Sequence, residues 1–436
     1  MQKQLPTSMK RLINEVKISF AHDQKVQEIF ENCFSNTYET TIRPQNDGTT
    51  FVITGDIPAM WLRDSAAQVR PYLIVAEQDD KMADLLEGVI KKQLLFVNHD
   101  PYANAFNKEA NGNRYHDDRT EMTPLIWERK YEIDSLCYPI NLSYLFWKST
   151  GRTSHFNNLF REAVANILAI WEIEQNHEKD SNYRFVRDNC PPQDTLSHNG
   201  YGAPVGYTGM TWCGFRPSDD ACRYGYLIPS NMFAVVVLKQ LGEIAENVLQ
   251  DVPLAARARE LGQEIDRGIR EFGMVEHPKH GTIYAYETDG LGNFNLMDDA
   301  NVPSLLALPY LGYCSLDDPI YQNTRNFLLS DDNPYYYQGK AAKGIGSPHT
   351  PERYIWHIAL AIQGMTASTK VEEQEILELF KQTHANTNFM HEGFHVDDPD
   401  QFTRPWFSWA NSMFSEFLLS QCNQYVKGSP LAKQQE

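Results

Sequence analysis

Apolar side chains recur every three or four residues along most of the chain, which is the spacing that lines one face of a helix. Between residues 80 and 98, for example, Met82, Leu86 and Val89 share a face. Asp251 and Gly273 are the expected N-cap and stop of another helix. The pattern predicts helices within 80–98, 156–171, 234–244, 254–272 and 406–417, and around Ile376 and Phe380.

Strand-like stretches are few and short, at Phe51–Thr54, Tyr183–Val186 and Thr282–Tyr286. Many helices in one domain can form a bundle, a solenoid or a closed ring, and no fixed-period repeat marks a solenoid here. The junctions between helices are long and rich in polar and aromatic residues, as where a rigid scaffold holds a site in its loops. We therefore expect an all-α fold, an (α/α)6 barrel in which helical hairpins form a toroid with long functional loops at one end.

The 436 residues contain no linker-like or low-complexity stretch that would separate domains. A single catalytic domain over 1–436 is therefore predicted. We expect a leader segment over 1–20 and a tail over 428–436 to lie at its periphery.

Composition argues against several classes of partner. A formal net charge of -18 disfavours nucleic acid and anionic membranes, because both would repel the chain. We find no apolar run of membrane-spanning length and no apolar signal segment at the N-terminus. The seven cysteines are scattered, with no CxxC pair. This pattern argues against a disulfide framework or a zinc site and favours a cytoplasmic location.

Tryptophan, arginine and carboxylates recur together at the helix junctions. A pyranose needs this combination, because its CH face stacks on an aromatic ring and its hydroxyls take charge-assisted hydrogen bonds. Taken singly, each tryptophan could equally well cap the core. The five tryptophans at or beside the junctions are Trp61, Trp127, Trp212, Trp406 and Trp409.

Two junctions carry carboxylates beside a predicted helix start. Asp64 could cap its helix with Arg63 as its ion-pair partner, or the two could grip vicinal hydroxyls of a sugar. In Arg216–Asp220, Ser218 could be an N-cap and both aspartates first-turn residues. The second adjacent carboxylate is less well explained in that way, because like charges raise one pKa and a raised pKa suits a general acid.

Glu392 lies between two histidines and beside Gly393. His391 and His395 could ligate a metal only on a helix and with a third ligand, and the glycine weakens a helix. A carboxylate on such a loop is a fair candidate for a base that holds water. No nucleophile-elbow, P-loop, zincin or dinucleotide motif is present, so acid/base chemistry by carboxylates or histidines remains.

Four segments together resemble glycoside hydrolase family 125, the bacterial exo-α-1,6-mannosidases. The segments are Asp56–Ser65, Trp127–Ser135, Arg216–Asp220 and His391–Phe394, in the family's order over nearly the whole chain. The resemblance implies an (α/α)6 barrel, no metal or other cofactor, and release of terminal α-1,6-linked mannose from an oligosaccharide or glycan with inversion.

Carried onto this chain, the resemblance implies that Asp220 is the general acid and Glu392 the general base. Spacing does not decide between Asp219 and Asp220, and we prefer Asp220, with Asp219 binding a hydroxyl. Inversion would place the two carboxyl groups about 6.5–9.5 Å apart, with room for a water. The sugar contacts expected from junction position and residue type are Trp61, Arg63, Asp64, Asp219, Asp298, Asp299, Asn301, His349 and Arg404.

Two other functions stay open at this point. A sugar epimerase or isomerase on the same barrel would use paired histidines, which His349, His357, His391 and His395 could supply. A non-catalytic glycan-binding protein would not need the Ser-Asp-Asp and His-Glu segments. The oligomeric state is not specified by the sequence.

Overall fold

Helices dominate the computed structural model, which describes residues 4–433. In chain order they are α1 (Thr7–Ser19), α2 (Gln24–Asn36), α3 (Leu62–Val69), α4 (Leu73–Ala76), α5 (Asp80–His99), α6 (Ile133–Thr150), α7 (Asn158–Glu174), α8 (His177–Asp180), α9 (Ser197–Gly200), α10 (Ile228–Ile244), α11 (Val252–Phe272), α12 (Leu308–Leu311), α13 (Pro319–Leu328), α14 (His357–Met365), α15 (Lys370–Gln382), α16 (Ser408–Gln421) and α17 (Pro430–Lys433).

Two kinds of helix alternate along the chain. Helices α3, α6, α10, α12, α14 and α16 are buried almost all round. Helices α2, α5, α7, α11, α13 and α15 bury one face and expose the other. The first set forms a ring in which α14 contacts α16, α16 contacts α3, and contacts continue through α6 and α10 to α12. Six outer and six inner helices in alternation confirm the predicted (α/α)6 barrel.

Short strands connect the helices at their ends. They are β1 (Ile42–Pro44), β2 (Thr50–Val52), β3 (Met60–Trp61), β4 (Ala105–Phe106), β5 (Ile126–Glu128), β6 (Tyr226–Leu227), β7 (Met274–His277), β8 (Gly281–Tyr284), β9 (Glu287–Thr288), β10 (Phe294–Asn295), β11 (Tyr336–Gln338), β12 (Lys343–Ile345), β13 (Tyr354–Trp356), β14 (Gly393–His395) and β15 (Asp398–Phe402).

Three of these strands lead directly into inner helices. β3, β6 and β13 end where α3, α10 and α14 begin, and each belongs to a three-stranded antiparallel sheet. In those sheets Trp61 pairs with Ala105, and Trp356 pairs with Gly393. The sheets therefore fix the chain at the entrance of inner helices.

The helical periodicity predicted most elements well. Helices α5, α11 and α15 confirm the predictions, whereas α16 begins at Ser408 and leaves Trp406 outside. Strands β2 and β8 confirm two strand predictions. The third, Tyr183–Val186, is wrong, because its Phe185 amide donates to the carbonyl of Gly200 and only Val186 makes a bridge, to Arg119.

The predicted leader and tail include ordered elements. Helix α1 buries Met9, Leu12, Ile13 and Val16, and one hydrophobic core runs from Met9 to Leu431 in α17. Residues 1–3 and 434–436 of the two segments lie outside the described residues. Among the helices that the structure describes, none combines the length and the apolar character needed to cross a bilayer.

The predicted N-cap at Asp251 is confirmed, since its side chain accepts the Leu254 amide at 3.1 Å. Asp251→Ala should lower the free energy of unfolding by about 1 kcal/mol, the usual cost of a lost cap. Asp251→Asn is the matched control, because it keeps the acceptor and loses only the partly exposed pair with Arg161. Urea unfolding of both variants measures the difference. Equal losses would show that the cap contributes nothing.

Candidate active site

The chain segments that precede the inner helices meet in one pocket of about 350 Å3. Trp61, Arg63 and Asp64 come from the start of α3, and Asn301 comes from the segment before α12. The other predicted residues that line the pocket are Asp219, His349, Glu392, Arg404 and Trp409. The junction chemistry predicted from the sequence is therefore concentrated at one end of the barrel.

Arg63 lies at the centre of the charged part of this site, with a side chain only 3% exposed. Its Nη1 is 2.6 Å from an oxygen of Glu132, and its Nη2 is 3.1 Å from Asp219 Oδ1. Carboxylates of Asp64 and Asp134 each lie 3.6 Å from the guanidinium. One buried cation therefore serves four carboxyl groups.

The four carboxyl groups respond differently to this crowding. Burial raises the pKa of Asp64 to about 6 and that of Asp134 to about 7, against the opposing attraction of Arg63. Burial likewise raises the pKa of Glu132 well above its usual range. Burial also opposes ionisation of Asp219, but Arg63 and Lys130 outweigh it and hold the pKa of Asp219 below its usual range. Asp219 is therefore the most readily ionised member of the cluster.

Asp219 occupies a left-handed turn with φ of 68°. Its Oδ1 accepts from Trp61 Nε1 at 3.4 Å and from Asn104 Nδ2 at 3.2 Å, in addition to Arg63. The buried Lys130 ammonium donates to the Asp219 main-chain carbonyl at 2.6 Å. These contacts hold both the backbone and the carboxylate of Asp219 in place.

The interpretation of Ser218 as a helix N-cap is wrong. The Arg216 amide donates to the carbonyl of Asp220 at 2.8 Å and closes a turn, and the next helix begins only at Ile228. The Ser218 hydroxyl instead donates to Asp299 at 2.8 Å. Hydrogen bonds within the turn compete here with helix formation.

Asp220 is completely buried. Its Oδ1 is 2.9 Å from His349 Nδ1, while its Oδ2 has no hydrogen-bond partner among the described residues. Burial opposes a charged imidazole, but the bond to Asp220 outweighs it, with help from Glu392 and Asp219, and raises the pKa of His349 to about 9. Asp220 and Glu392 therefore both act on one histidine in the pocket.

Glu392 stands immediately before β14 and is 5% exposed. Its Oε1 is 3.4 Å from Nη1 of Arg404. Arg404 in turn pairs with Asp56 at 2.5 Å and donates to Thr54 Oγ1 at 3.3 Å. The backbone of Arg404 is left-handed, with φ of 46°. Its contacts with Asp56 and Thr54 hold the guanidinium beside Glu392.

The two aspartates before α12 serve different purposes. Both oxygens of Asp298 accept backbone amides, from Leu305 at 2.9 Å and Leu306 at 3.0 Å, so this residue stabilises the turn into α12. Asp299 does not line the pocket but contacts two residues that do. Its carboxylate accepts a hydrogen bond from the Ser218 hydroxyl, and Asn301 Nδ2 lies 3.4 Å from it. Burial raises the pKa of both carboxyls, that of Asp298 to about 8.

Two candidate histidines are structural. His357 bonds to the main chain of His391 and to Thr383, and burial lowers its pKa to about 3. His391 stacks on Phe402 at 3.8 Å, and burial lowers its pKa to about 4. Within residues 4–433, no group of three His, Cys, Asp or Glu side chains is arranged to hold a metal ion.

Several pocket residues escaped the sequence analysis. Trp356 and Phe407 immediately precede α14 and α16, and their positions before helical stretches were the available signal. Glu132 and Asp134, which contact Arg63 behind the pocket, lie inside the segment Trp127–Ser135, yet nothing in the sequence connects them with Arg63. The remaining unpredicted lining residues are Thr54, Ile57, Pro217 and Ser218.

A closed ring of helical hairpins with carboxylates and aromatic rings in one end pocket is typical of glycoside hydrolases. Residues 23–419 match the family described as metal-independent α-mannosidase (GH125), and the chain belongs to this family. A Schizosaccharomyces pombe relative, the meiotically up-regulated gene 157 protein, is 40% identical over 437 residues, which are 94% of this chain and 85% of that protein.

Solved structures agree with this assignment. A Streptococcus pneumoniae protein of a family of metal-independent α-mannosidases, in a non-productive complex with α-1,6-mannobiose, is 50% identical with a TM-score of 0.95. The match covers 97% of this chain and 99% of that chain. A wild-type glycosidase structure, 13% identical over 92% of this chain and 97% of its own, has a TM-score of 0.54 and shows the shared fold alone.

Arg63→Gln should lower the free energy of unfolding by about 3–5 kcal/mol, because buried carboxylates lose their cation. Urea unfolding should show a larger loss at pH 8 than at pH 5. Without Arg63 the pKa values of its partners rise, so falling pH supplies protons that replace the missing charge. Arg152→Gln is the matched control, since Arg152 also contacts three carboxylates, but ones more exposed to solvent. A pH-independent loss would contradict this account.

Proposed function

We propose that the chain is an exo-acting α-1,6-mannosidase that inverts the anomeric centre, with Asp220 as general acid and Glu392 as general base. The observation that carries the proposal is that His349, which lies 2.9 Å from Asp220, lines the same pocket as Glu392. Terminal mannose from an oligosaccharide or glycan enters the pocket, and the complex of the S. pneumoniae relative with α-1,6-mannobiose supports that linkage.

The choice of Asp220 over Asp219 follows from their surroundings. Asp219 is held ionised by Arg63 and receives two further donors, so it is suited to accepting hydroxyl groups and not to donating a proton. Asp220 lies behind the lining residues Ser218 and Asp219 and keeps one buried oxygen, Oδ2, without a partner among the described residues, so that this oxygen can carry a proton without losing a hydrogen bond. The neighbouring aspartates thus have separate tasks.

The remaining pocket residues suit the two faces of a sugar. The rings of Trp61, Trp356 and Trp409 offer surfaces for its CH groups, and Arg63 and Arg404 offer donors to its hydroxyls. Glu392 removes a proton from water as the water attacks the anomeric carbon opposite the leaving oxygen. Inversion gives β-mannose as the first product from an α-linked substrate.

The isomerase alternative loses its support because His357 and His391 are buried in structural contacts. Of the four histidines considered, His349 is the one that lines the described pocket. We also propose a cytoplasmic location, since all seven cysteines are free thiols.

Asp220→Asn and Glu392→Gln should each lower kcat on α-1,6-mannobiose by about 1,000-fold or more, because each removes a proton-transfer group. An anomer-resolved proton NMR time course should show β-mannose first with the unaltered enzyme. Asp317→Asn, at an exposed carboxylate, is the matched control and should retain full turnover. Normal turnover of either catalytic variant, with unchanged circular dichroism, would refute its assignment.

Dialysis against a chelator should leave turnover of α-1,6-mannobiose unchanged, since the family is metal-independent and the proposed steps use carboxyl groups alone. Activity measured before and after dialysis, and after adding calcium or zinc, tests this. A loss that calcium or zinc restores would overturn the acid/base proposal.

A further inference from the structure

The Asp220–His349 pair presents a difficulty for acid catalysis. A general acid must carry a proton when the substrate arrives. Asp220 instead lies 2.9 Å from Nδ1 of a histidine whose pKa is raised to about 9. At neutral pH the imidazole therefore carries a proton, and the proton that a general acid would have to supply is held on the histidine beside Asp220.

The positions of His349 and Asp220 allow a proton to be transferred from the histidine to the aspartate. His349 uses Nδ1 for Asp220, and its side chain, 35% exposed, lines the pocket, so the ring can exchange protons there. Asp220 uses Oδ1 for the histidine and keeps Oδ2 without a partner among the described residues. Imidazolium with carboxylate, and neutral imidazole with carboxylic acid, contain the same number of protons. The two forms differ only in whether the proton is on Nε2 or on Oδ2.

We propose that His349 is a positioning residue that stores, between turnovers, the proton which Asp220 donates. This inference rests on the proposed function. When sugar fills the pocket and excludes water, the ion pair loses solvation and the neutral form is favoured. The proton then leaves Nε2 through a single water retained between the two side chains and reaches Oδ2, while Nδ1–H continues to donate to Oδ1.

The protons balance over one cycle. Oδ2–H protonates the glycosidic oxygen as the bond to the anomeric carbon breaks, and Asp220 becomes a carboxylate. Water forms the new bond to that carbon and gives its proton to Glu392. Glu392 then returns a proton to Nε2 of His349 through solvent. The histidine thus connects the two carboxyls, since it contacts Asp220 and lines the same pocket as Glu392.

The surrounding charges leave Asp220 as the main partner of the histidine. Glu392 is offset by Arg404 at 3.4 Å, and Asp219 is offset by Arg63 at 3.1 Å. Asp220 has no arginine or lysine among its recorded ion pairs in residues 4–433, where its recorded ion pair is with His349. The other titratable groups on this side are Asp299, Tyr335, Arg216 and Glu287, and Arg216 is paired with Glu287 at 2.6 Å.

The decisive measurement is the pH profile of kcat/KM on α-1,6-mannobiose for the unaltered enzyme and for His349→Asn. Asparagine can still donate an amide hydrogen to Asp220 but cannot store a proton. The alkaline limb should fall near pH 9 in the unaltered enzyme and at least two pH units lower in the variant. At pH 8, one unit above the shifted limb, the variant should be at least about 10-fold slower than the unaltered enzyme. An alkaline limb at the same pH in both enzymes overturns the proposal.

Leaving-group dependence separates proton storage from general damage. Cleavage of 2,4-dinitrophenyl α-mannoside needs little protonation, so His349→Asn should cleave it within about 10-fold of the unaltered rate, below the loss expected of a missing general acid. Asp220→Asn should show the same pattern. Equal losses of His349→Asn on the aryl mannoside and the disaccharide overturn proton storage. Full disaccharide turnover by Asp220→Asn overturns the proposed function itself.

A direct titration provides a readout that does not depend on the folding of His349→Asn. The imidazole resonances of His349, followed by NMR in the unaltered enzyme, should titrate near pH 9. In Asp220→Asn they should titrate below pH 7. The same titration midpoint in both proteins would contradict the coupling between Asp220 and His349.

Discussion

The buried guanidinium of Arg63 is the constraint on which the active site depends. Four carboxyl groups converge on it at the start of α3, and a buried charge is tolerated only when it is paired or neutralised. A single cation balances one of them, Asp219, while the pKa values of Asp64, Asp134 and Glu132 rise. The rise in these three pKa values limits the negative charge that collects around one guanidinium, and of the four carboxyl groups Asp64 and Asp219 are the two that line the pocket.

The barrel explains why this chemistry gathers at one end. Every inner helix is preceded by a segment that contributes to the site or to its support, from Trp61 before α3 to Arg404 before α16. Because the ring is closed, six separate loops meet around one axis. Helix N-termini carry partial positive charge, which favours the carboxylates of Asp64 and Asp134 in the first turns of α3 and α6.

Periodicity and capping predicted the barrel helices, and the pairing of carboxylates with aromatic residues at junctions predicted most of the pocket. Contacts between distant segments were beyond that reasoning. Asp298 and Asp299 look equivalent in sequence, yet the amides of Leu305 and Leu306 occupy both oxygens of Asp298. Asp219 and Asp220 also look equivalent in sequence, and they differ in the structure because Asp219 pairs with Arg63 and Asp220 with His349.

Two of the eleven non-glycine residues with positive φ in the described chain lie beside the proposed chemistry. Asp219, next to the proposed acid, and Arg404, beside the proposed base, have left-handed conformations that residues with a Cβ rarely adopt. Such strain persists only where the surroundings over-determine it. Lys130 holds the carbonyl of Asp219, and Asp56 holds the guanidinium of Arg404. The left-handed residue at position 219 is also what allows two consecutive aspartates to serve different partners, Arg63 on one side and His349 on the other.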